Sequence, residues 1–456
     1  MGEVRAELAI LEGWGRARRS ASVTLTPDSV VDVAGCFANP RAHGLIAHAA
    51  GRAYGDCALN DQGSALMTAG LAGIVAFDPD TGIVQVEPGV NFRQLMAEFL
   101  PRGFLVPVTP GTGFATIGGA VANDVHGKNH ESAGSFGQHV TELDLLTPDG
   151  VLRTIGPAPL YPSDEAELFR ATCGGLGLTG VITRVAFRMP RVAGPAVRVR
   201  VQRIPDLDAF LAALDAAAGA TYAVGWIDGT ARGAALGRGI LETAEPVQGR
   251  APVPRGGLRV PVDFPGWVLS PLSIRAFNEV YFRHVPAGGR TRIAHVGKFF
   301  YPLDAIRGWN RIYGKRGFHQ FQNVVPFAGG AAALRELLEV IGQSQRASFL
   351  AVLKRLGGGI VPPAEAGHLS FAQPGYTLAL DFPAGPGIED LYARLVAITL
   401  RHGGRVYLAK DALLDPAAFR QMYPRWAEFR GVLEAVDPKR RLQSDISRRL
   451  RLRQAA

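Results

Sequence analysis

The chain has 456 residues, a formal net charge of +9, 47% hydrophobic and 20% charged residues, which excludes a disordered chain and favours two domains over one core. The positive excess is mostly scattered arginine plus one C-terminal cluster (Lys439, Arg440, Arg441, Arg448, Arg449, Arg451, Arg453). No aromatic-interleaved basic motif accompanies it, so an anionic substrate, a membrane surface or solubility explains the charge and no nucleic-acid partner is expected.

The 56 glycines and 31 prolines require many turns, hence a strand-rich or mixed fold. Three widely spaced cysteines (Cys36, Cys57, Cys173) indicate neither a disulfide framework nor a zinc knuckle. No uncharged apolar run is long enough to span a bilayer, and MGEVRAELAI lacks a signal-peptide pattern.

In chain order, Thr26-Pro27-Asp28 predicts a helix start, and Leu45-Ile46-Ala47 a strand running into Gly51-Arg52-Ala53-Tyr54-Gly55-Asp56. A strand feeding a glycine-bearing loop exposes successive N–H groups to an anion, though the endings of a P-loop and of a dinucleotide fingerprint are missing. Residues 74–86 predict a hairpin. Asn91 with Gln94 forms a capping box for a helix burying Phe92, Leu95, Met96 and Phe99. A second hairpin turns at Pro148-Asp149-Gly150, a helix covers Glu165–Ala171 and a strand Val181–Met189, giving an α+β domain that ends near 195.

Between these elements lies 105–139, LVPVTPGTGFATIGGAVANDVHGKNHESAGSFGQH, with seven glycines and three histidines. Glycine lets backbone approach a ligand closely, so this stretch predicts a wall against a large flat or phosphorylated cofactor. His126 and His130 stand four apart, as metal ligands on a helix would, but their glycine-rich flanks speak against a helix and no third ligand is evident; no metal is expected.

Beyond 195, VRVRVQRI alternates as a half-buried strand, and Asp206 caps a helix carrying Leu207, Phe210, Leu211 and Leu214. A strand is expected at Thr221–Trp226. Residues 229–300, with ten Arg/Lys against four Asp/Glu, read as long loops plus one helix near 270–283. Strands follow at Gly297–Tyr301, Gln320–Val325, Ser348–Leu353, Tyr376–Phe382 and Val406–Leu408, with helices at Ala331–Gln345, Leu391–His402 and Ala417–Met422. An antiparallel sheet backed by helices is the economical arrangement.

The combination of GRAYGD, HGKNHESAGSFG (126–137), DEAELFRATCGGLGLTGVI, WNRIYG (309–314), YLAKD (407–411) and VDPKRRLQSD resembles the FAD-dependent oxidases of the vanillyl-alcohol oxidase type. Within them it is most similar to the decaprenylphosphoryl-β-D-ribose 2-oxidase family, over nearly the whole chain. The resemblance implies a PCMH-type FAD domain in two parts, 1–195 and 405–456. A substrate domain of antiparallel sheet and helices, 196–404, is inserted between them.

The resemblance also implies a site. The FAD pyrophosphate is expected on Gly51, Arg52, Ala53, Tyr54, Gly55 and Asp56. Pro110, Gly111, Thr112, Thr116, Gly118 and Gly119, with Asn123, His126 and Gly127, are expected along the ribityl chain and ring. Gly175, Gly177, Gly180 and Val181 are expected at the adenine side, and Tyr407 and Lys410 beside the flavin. Arg52 stands where many relatives carry a flavin-linking histidine, so FAD is expected to be non-covalent. Lys410, His126 and Lys128 are the catalytic candidates. Tyr54, Trp226, Phe300, Gln320, Gln322, Lys354, Thr377 and Ala379 are the substrate candidates.

Three of these depart from the family's pattern: Ala379 replaces a cysteine of mycobacterial members, Thr377 an asparagine and Phe300 a tyrosine. The implied reaction oxidises the 2-hydroxyl of a polyprenyl-phosphoryl ribose to a keto sugar. A short-chain reductase is the implied partner, and quinone or oxygen the electron acceptor. A cytoplasmic or peripheral membrane location is expected, with the periplasmic side open by family analogy. The rival readings are an aldonolactone or alditol oxidase of the same fold and a flavin-bearing protein without turnover.

Overall fold

The computed structural model describes residues 4–37, 41–252, 257–346, 348–362 and 364–454. Helices and three main sheets alternate, an α+β fold.

A four-stranded sheet carries, in spatial order, Arg5–Glu12, Arg19–Thr26, Ser64–Met67 and Leu45–His48. A five-stranded antiparallel sheet carries Ile74–Asp78, Ile83–Val86, Val181–Arg188, Val140–Leu146 and Leu152–Ile155. The C-terminal segment returns to the first of these. Leu45 N–H donates to Arg441 O at 2.8 Å, and Gln443 N–H to Leu45 O at 3.0 Å. Arg449 clamps the return by bonding Asp56 at 2.8 Å and Asp411 at 2.9 Å.

The third sheet is eight-stranded and antiparallel, in the order Arg290–His295, Ala196–Ile204, Gly239–Val247, Tyr222–Ile227, Ala351–Leu356, Gly375–Pro383, Phe318–Pro326, Arg405–Val406. Its alternation is visible in Ala196–Ile204, where Val197, Val199 and Val201 are buried while Arg198 and Arg200 face solvent. Helices Leu207–Ala216, Gly330–Ser344 and Ile388–Arg401 cover one face and bury Leu211, Leu334, Leu338, Leu391 and Leu395 in one core. Each such leucine stabilises the fold by roughly 1.5–3 kcal/mol. Asp206 caps the first helix by accepting Ala209 N–H at 2.9 Å, and the Asn91–Gln94 capping box forms at Phe92–Phe99.

Three expectations are corrected. The 229–300 stretch contains the strands Gly239–Val247 and Arg290–His295 besides helix Pro271–Arg283; residues 253–256 within it lie outside the described residues. Val296–Phe300 is a short helix, started where His295 Nδ1 accepts the Gly297 N–H at 3.1 Å. The first helix runs Val30–Gly35, capped by Ser29 and not by the Thr26-Pro27-Asp28 turn.

Candidate active site

A cavity of about 1860 Å³ lies between the uncovered face of the eight-stranded sheet and the glycine-rich centre. Ordinary small-ligand sites enclose roughly 300–1,000 Å³, so this one has room for a dinucleotide-sized cofactor together with a substrate.

One side is nearly all small residues and backbone. Thr116 caps the helix Ile117–Ala122, which presents Gly118, Gly119 and Ala122 to the cavity. A Cβ on Gly118 would stand 2.7 Å from the Pro88 Cβ, so only glycine fits there. Asn123 donates to Gly119 O at 2.9 Å, and the Tyr407 hydroxyl donates to Asn123 O at 2.9 Å, which fixes this wall. Pro110, Gly111, Thr112, Gly127, Gly177 and Gly180 continue it.

The turn at Gly51, whose φ is +59°, brings Arg52, Ala53 and Tyr54 onto the wall. The Arg52 guanidinium lies 4.2 Å from the Trp14 ring centroid and 5.0 Å from that of Phe114. Its Nε is buried with no hydrogen-bond partner among the described residues. A buried cationic N–H without an acceptor is costly, and a phosphate or carbonyl oxygen of a bound cofactor would satisfy it. The small wall, the volume and this orphaned donor together fit FAD.

Four predicted residues stand behind the wall. Gly55 backs onto Asp411, whose carbonyl oxygen would be 1.6 Å from a Cβ there. Asp56 is held by Arg449. Gly175 packs on Ala171 O, and Val181 is fully buried; Thr377 is instead buried on the opposite sheet, accepting from Gln322 Nε2 at 3.3 Å. Tyr54 sits on the wall, but its N–H is spent on Ala409 O at 3.1 Å. Within this loop Gly51, Arg52, Ala53 and Tyr54 line the cavity.

The opposite side is the sheet face, read in rows. Gln322, Ala379, Val352, Trp226 and Ile240 are cross-strand neighbours, and all line the cavity. The adjacent row brings Lys354 beside Thr377, and Gln320 pairs directly with Asp381. Strand alternation thus delivers both glutamines to one face, as their spacing predicts. The Trp226 Nε1–H donates to Phe349 O at 2.9 Å, leaving its ring for the cavity, and Phe300 packs on Tyr222 at 5.1 Å.

The titratable groups meet here. His126 Nε2 lies 2.9 Å from Gln322 Nε2, and His126 Nδ1 lies 3.2 Å from Lys354 Nζ. Lys410 Nζ stands 3.4 Å over the Tyr54 ring. Burial, reinforced by Lys354, drives His126 well below its ordinary value. Burial and the neighbouring Lys128 bring Lys354 down to about 7. Burial also lowers Lys410, against the pull of Asp381. Lys128 reaches the cavity, yet its ammonium is engaged by Phe299 O and lies 4.2 Å over the Phe299 ring; burial lowers it to about 8. His130 begins its own one-turn helix, 6.3 Å ring to ring from His126, so the two do not share a helix face.

Sequence reasoning missed Asp304 and Asp381. Asp304 holds the glycine loop by accepting from Thr112 Oγ1 at 2.7 Å and Gly113 N at 2.9 Å. Asp381 was in plain view beside Phe382-Pro383, and the register opposite Gln320 is the signal that finds it.

Comparison with known proteins agrees with this geometry. Residues 21–156 match the FAD binding domain model, and residues 376–450 match the D-arabinono-1,4-lactone oxidase model. The chain is 36% identical to the decaprenylphosphoryl-β-D-ribose oxidase of Mycolicibacterium smegmatis, over 97% of each chain. It is 33% identical, over 80% of this chain and 100% of the other, to an uncharacterized Streptomyces coelicolor protein. A putative D-arabinono-1,4-lactone oxidase of Neurospora crassa is 31% identical over 25% of this chain and 20% of its own length.

Proposed function

The chain belongs to the decaprenylphosphoryl-β-D-ribose oxidase family of FAD-dependent oxidoreductases, and from that premise we propose that it oxidises the 2-hydroxyl of a polyprenyl-phosphoryl ribose to the 2-keto sugar. The observation that carries this reading is a near full-length likeness joined to a sheet face where Lys410, His126, Gln320, Gln322 and Lys354 meet. We assign FAD to residues 1–195 and 405–456 and the sugar to residues 196–404.

FAD, held without a covalent link, supplies the hydride acceptor. Lys410 contacts the reacting hydroxyl. Burial keeps its amine partly uncharged near neutrality, so it takes the hydroxyl proton as the hydride leaves. Gln320 and Gln322 bind ring hydroxyls while Trp226 and Phe300 wall the sugar. Lys354 meets the phosphate, whose charge restores the proton that burial disfavours. His126 holds Gln322 and Lys354 in place. Water leaves the apolar side of the cavity as the lipid arm enters.

Leu258, Trp267, Leu272 and Val280 are exposed beside Arg259, Arg275 and Arg283, which suits a peripheral contact with an anionic membrane that delivers the lipid. No helix among the described residues is long and apolar enough to cross a membrane. Quinone or oxygen takes the electrons. A short-chain reductase then returns the ketone as arabinose, completing an epimerisation that feeds cell-envelope arabinan.

Incubation with decaprenylphosphoryl ribose and a dye acceptor should yield a lipid lighter by two hydrogens and trappable as a ketone. A second reading, oxidation of a soluble aldonolactone, has the match over 376–450 in its favour. Peroxide formation from free lactones, with the lipid left intact, would establish it instead.

A further inference from the structure

We propose that Asp381, which does not itself line the cavity, is a positioning residue that fixes which end of the Gln320 amide meets the substrate and whose negative charge acts on Lys410. The proposal rests on the assignment of Lys410 and Gln320 to the substrate.

Asp381 is fully buried on the strand Gly375–Pro383 and is the direct cross-strand partner of Gln320. Its Oδ1 accepts from Gln320 Nε2 at 2.5 Å, and its Oδ2 lies 3.2 Å from the Tyr313 hydroxyl, which also reaches Ser348 Oγ at 2.9 Å. An ionised carboxylate only accepts. Gln320 must therefore turn its NH2 to Asp381, which leaves its carbonyl Oε1 for the cavity. The strand then offers a sugar an acceptor, and a hydroxyl that donates is the group it selects.

The same charge acts on Lys410. The groups that face this pair are Tyr54 and Tyr313, Gln320, Lys354 and Cys57. Among them Asp381 favours the Lys410 ammonium most strongly, while Lys354 opposes it. Burial pulls the carboxyl up and the amine down, while each charge pulls the other group back toward its ionised form, which leaves Lys410 partly uncharged near neutrality.

Two variants separate the effects. Asp381→Asn retains an acceptor for Gln320 but no charge; Asp381→Leu removes both. With flavin-loaded protein, the anaerobic rate of flavin bleaching by decaprenylphosphoryl ribose is followed across pH. In Asp381→Asn the rate limb set by Lys410 should move to lower pH by about one unit or more, with substrate affinity nearly unchanged. In Asp381→Leu affinity should also weaken about tenfold, the cost of misdirecting one polar contact. A limb that stays in place in Asp381→Asn, or equal affinity losses in the two variants, would overturn the proposal. Failure of the wild-type flavin to bleach with this lipid defeats the functional reading instead, and the pH limb can then be followed with whichever alcohol does bleach it.

Discussion

Lys354 Nζ stands 3.2 Å from His126 Nδ1, so two basic groups share one buried spot and the Lys354 charge disfavours a proton on His126. The pair links the glycine-rich centre to the sheet face across the cavity.

This arrangement makes the fold acid-sensitive. His126 is held well below its ordinary 6.5, and His130 is lowered to about 3, both chiefly by burial. Below about pH 6.5 the unfolded chain takes up protons that the folded chain refuses, so stability present above that pH is lost as pH falls. The melting temperature should drop from about pH 6.5 to pH 5, and His126→Asn should make the drop shallower. An unchanged slope in that variant would remove His126 from the account.

Lys410 should be separable from folding. Lys410→Met keeps much of the stem over Tyr54 and should retain bound flavin. Anaerobic flavin bleaching by substrate should slow by about a hundredfold or more, the range of a lost proton-transfer group. Bleaching within a factor of about three of wild type would exclude Lys410 from the chemistry.

Arg449 should matter for stability. It bonds Asp56 and Asp411, both almost fully buried. Arg449→Met leaves two buried carboxylates without their cation, a cost of about 3–5 kcal/mol. Denaturant unfolding of the flavin-loaded protein measures it; a loss below about 1 kcal/mol would show that the C-terminal return is held by other contacts.

Gly118→Ala tests the small wall. Its methyl would meet Pro88 at 2.7 Å, pushing the helix Ile117–Ala122 into the cavity. The ratio of flavin to protein absorbance in the purified variant should fall severalfold. Full flavin content would mean that the cofactor does not lie along this helix.

How much of this was legible depended on how local each signal is. Asn91 with Gln94 and Asp206 with Leu207 declared their helices because capping needs only neighbours in sequence. Val197, Val199 and Val201 declared a strand because arginines alternate with them. Gly239–Val247 was hidden, since its polar Glu242 and Thr243 are accommodated by partner strands that sequence does not reveal. Gly297 and Phe300 read as strand until the His295 cap turned them into a helix. In the site, Gln320 and Gln322 were legible from alternation. Asp381 was not, because its role comes from a register across two strands. The contacts of Gly55 and Asp56 to Asp411 and Arg449 were not legible, because those partners lie far along the chain.

The central claim is that the cavity couples FAD to a lipid-linked ribose. Anaerobic absorbance spectra of the purified flavoprotein, before and after stoichiometric decaprenylphosphoryl ribose, test it most directly. The oxidised flavin bands should bleach in a single turnover and return on adding a quinone or oxygen. Bands that persist with this lipid, but bleach with a free aldonolactone or polyol, would contradict it.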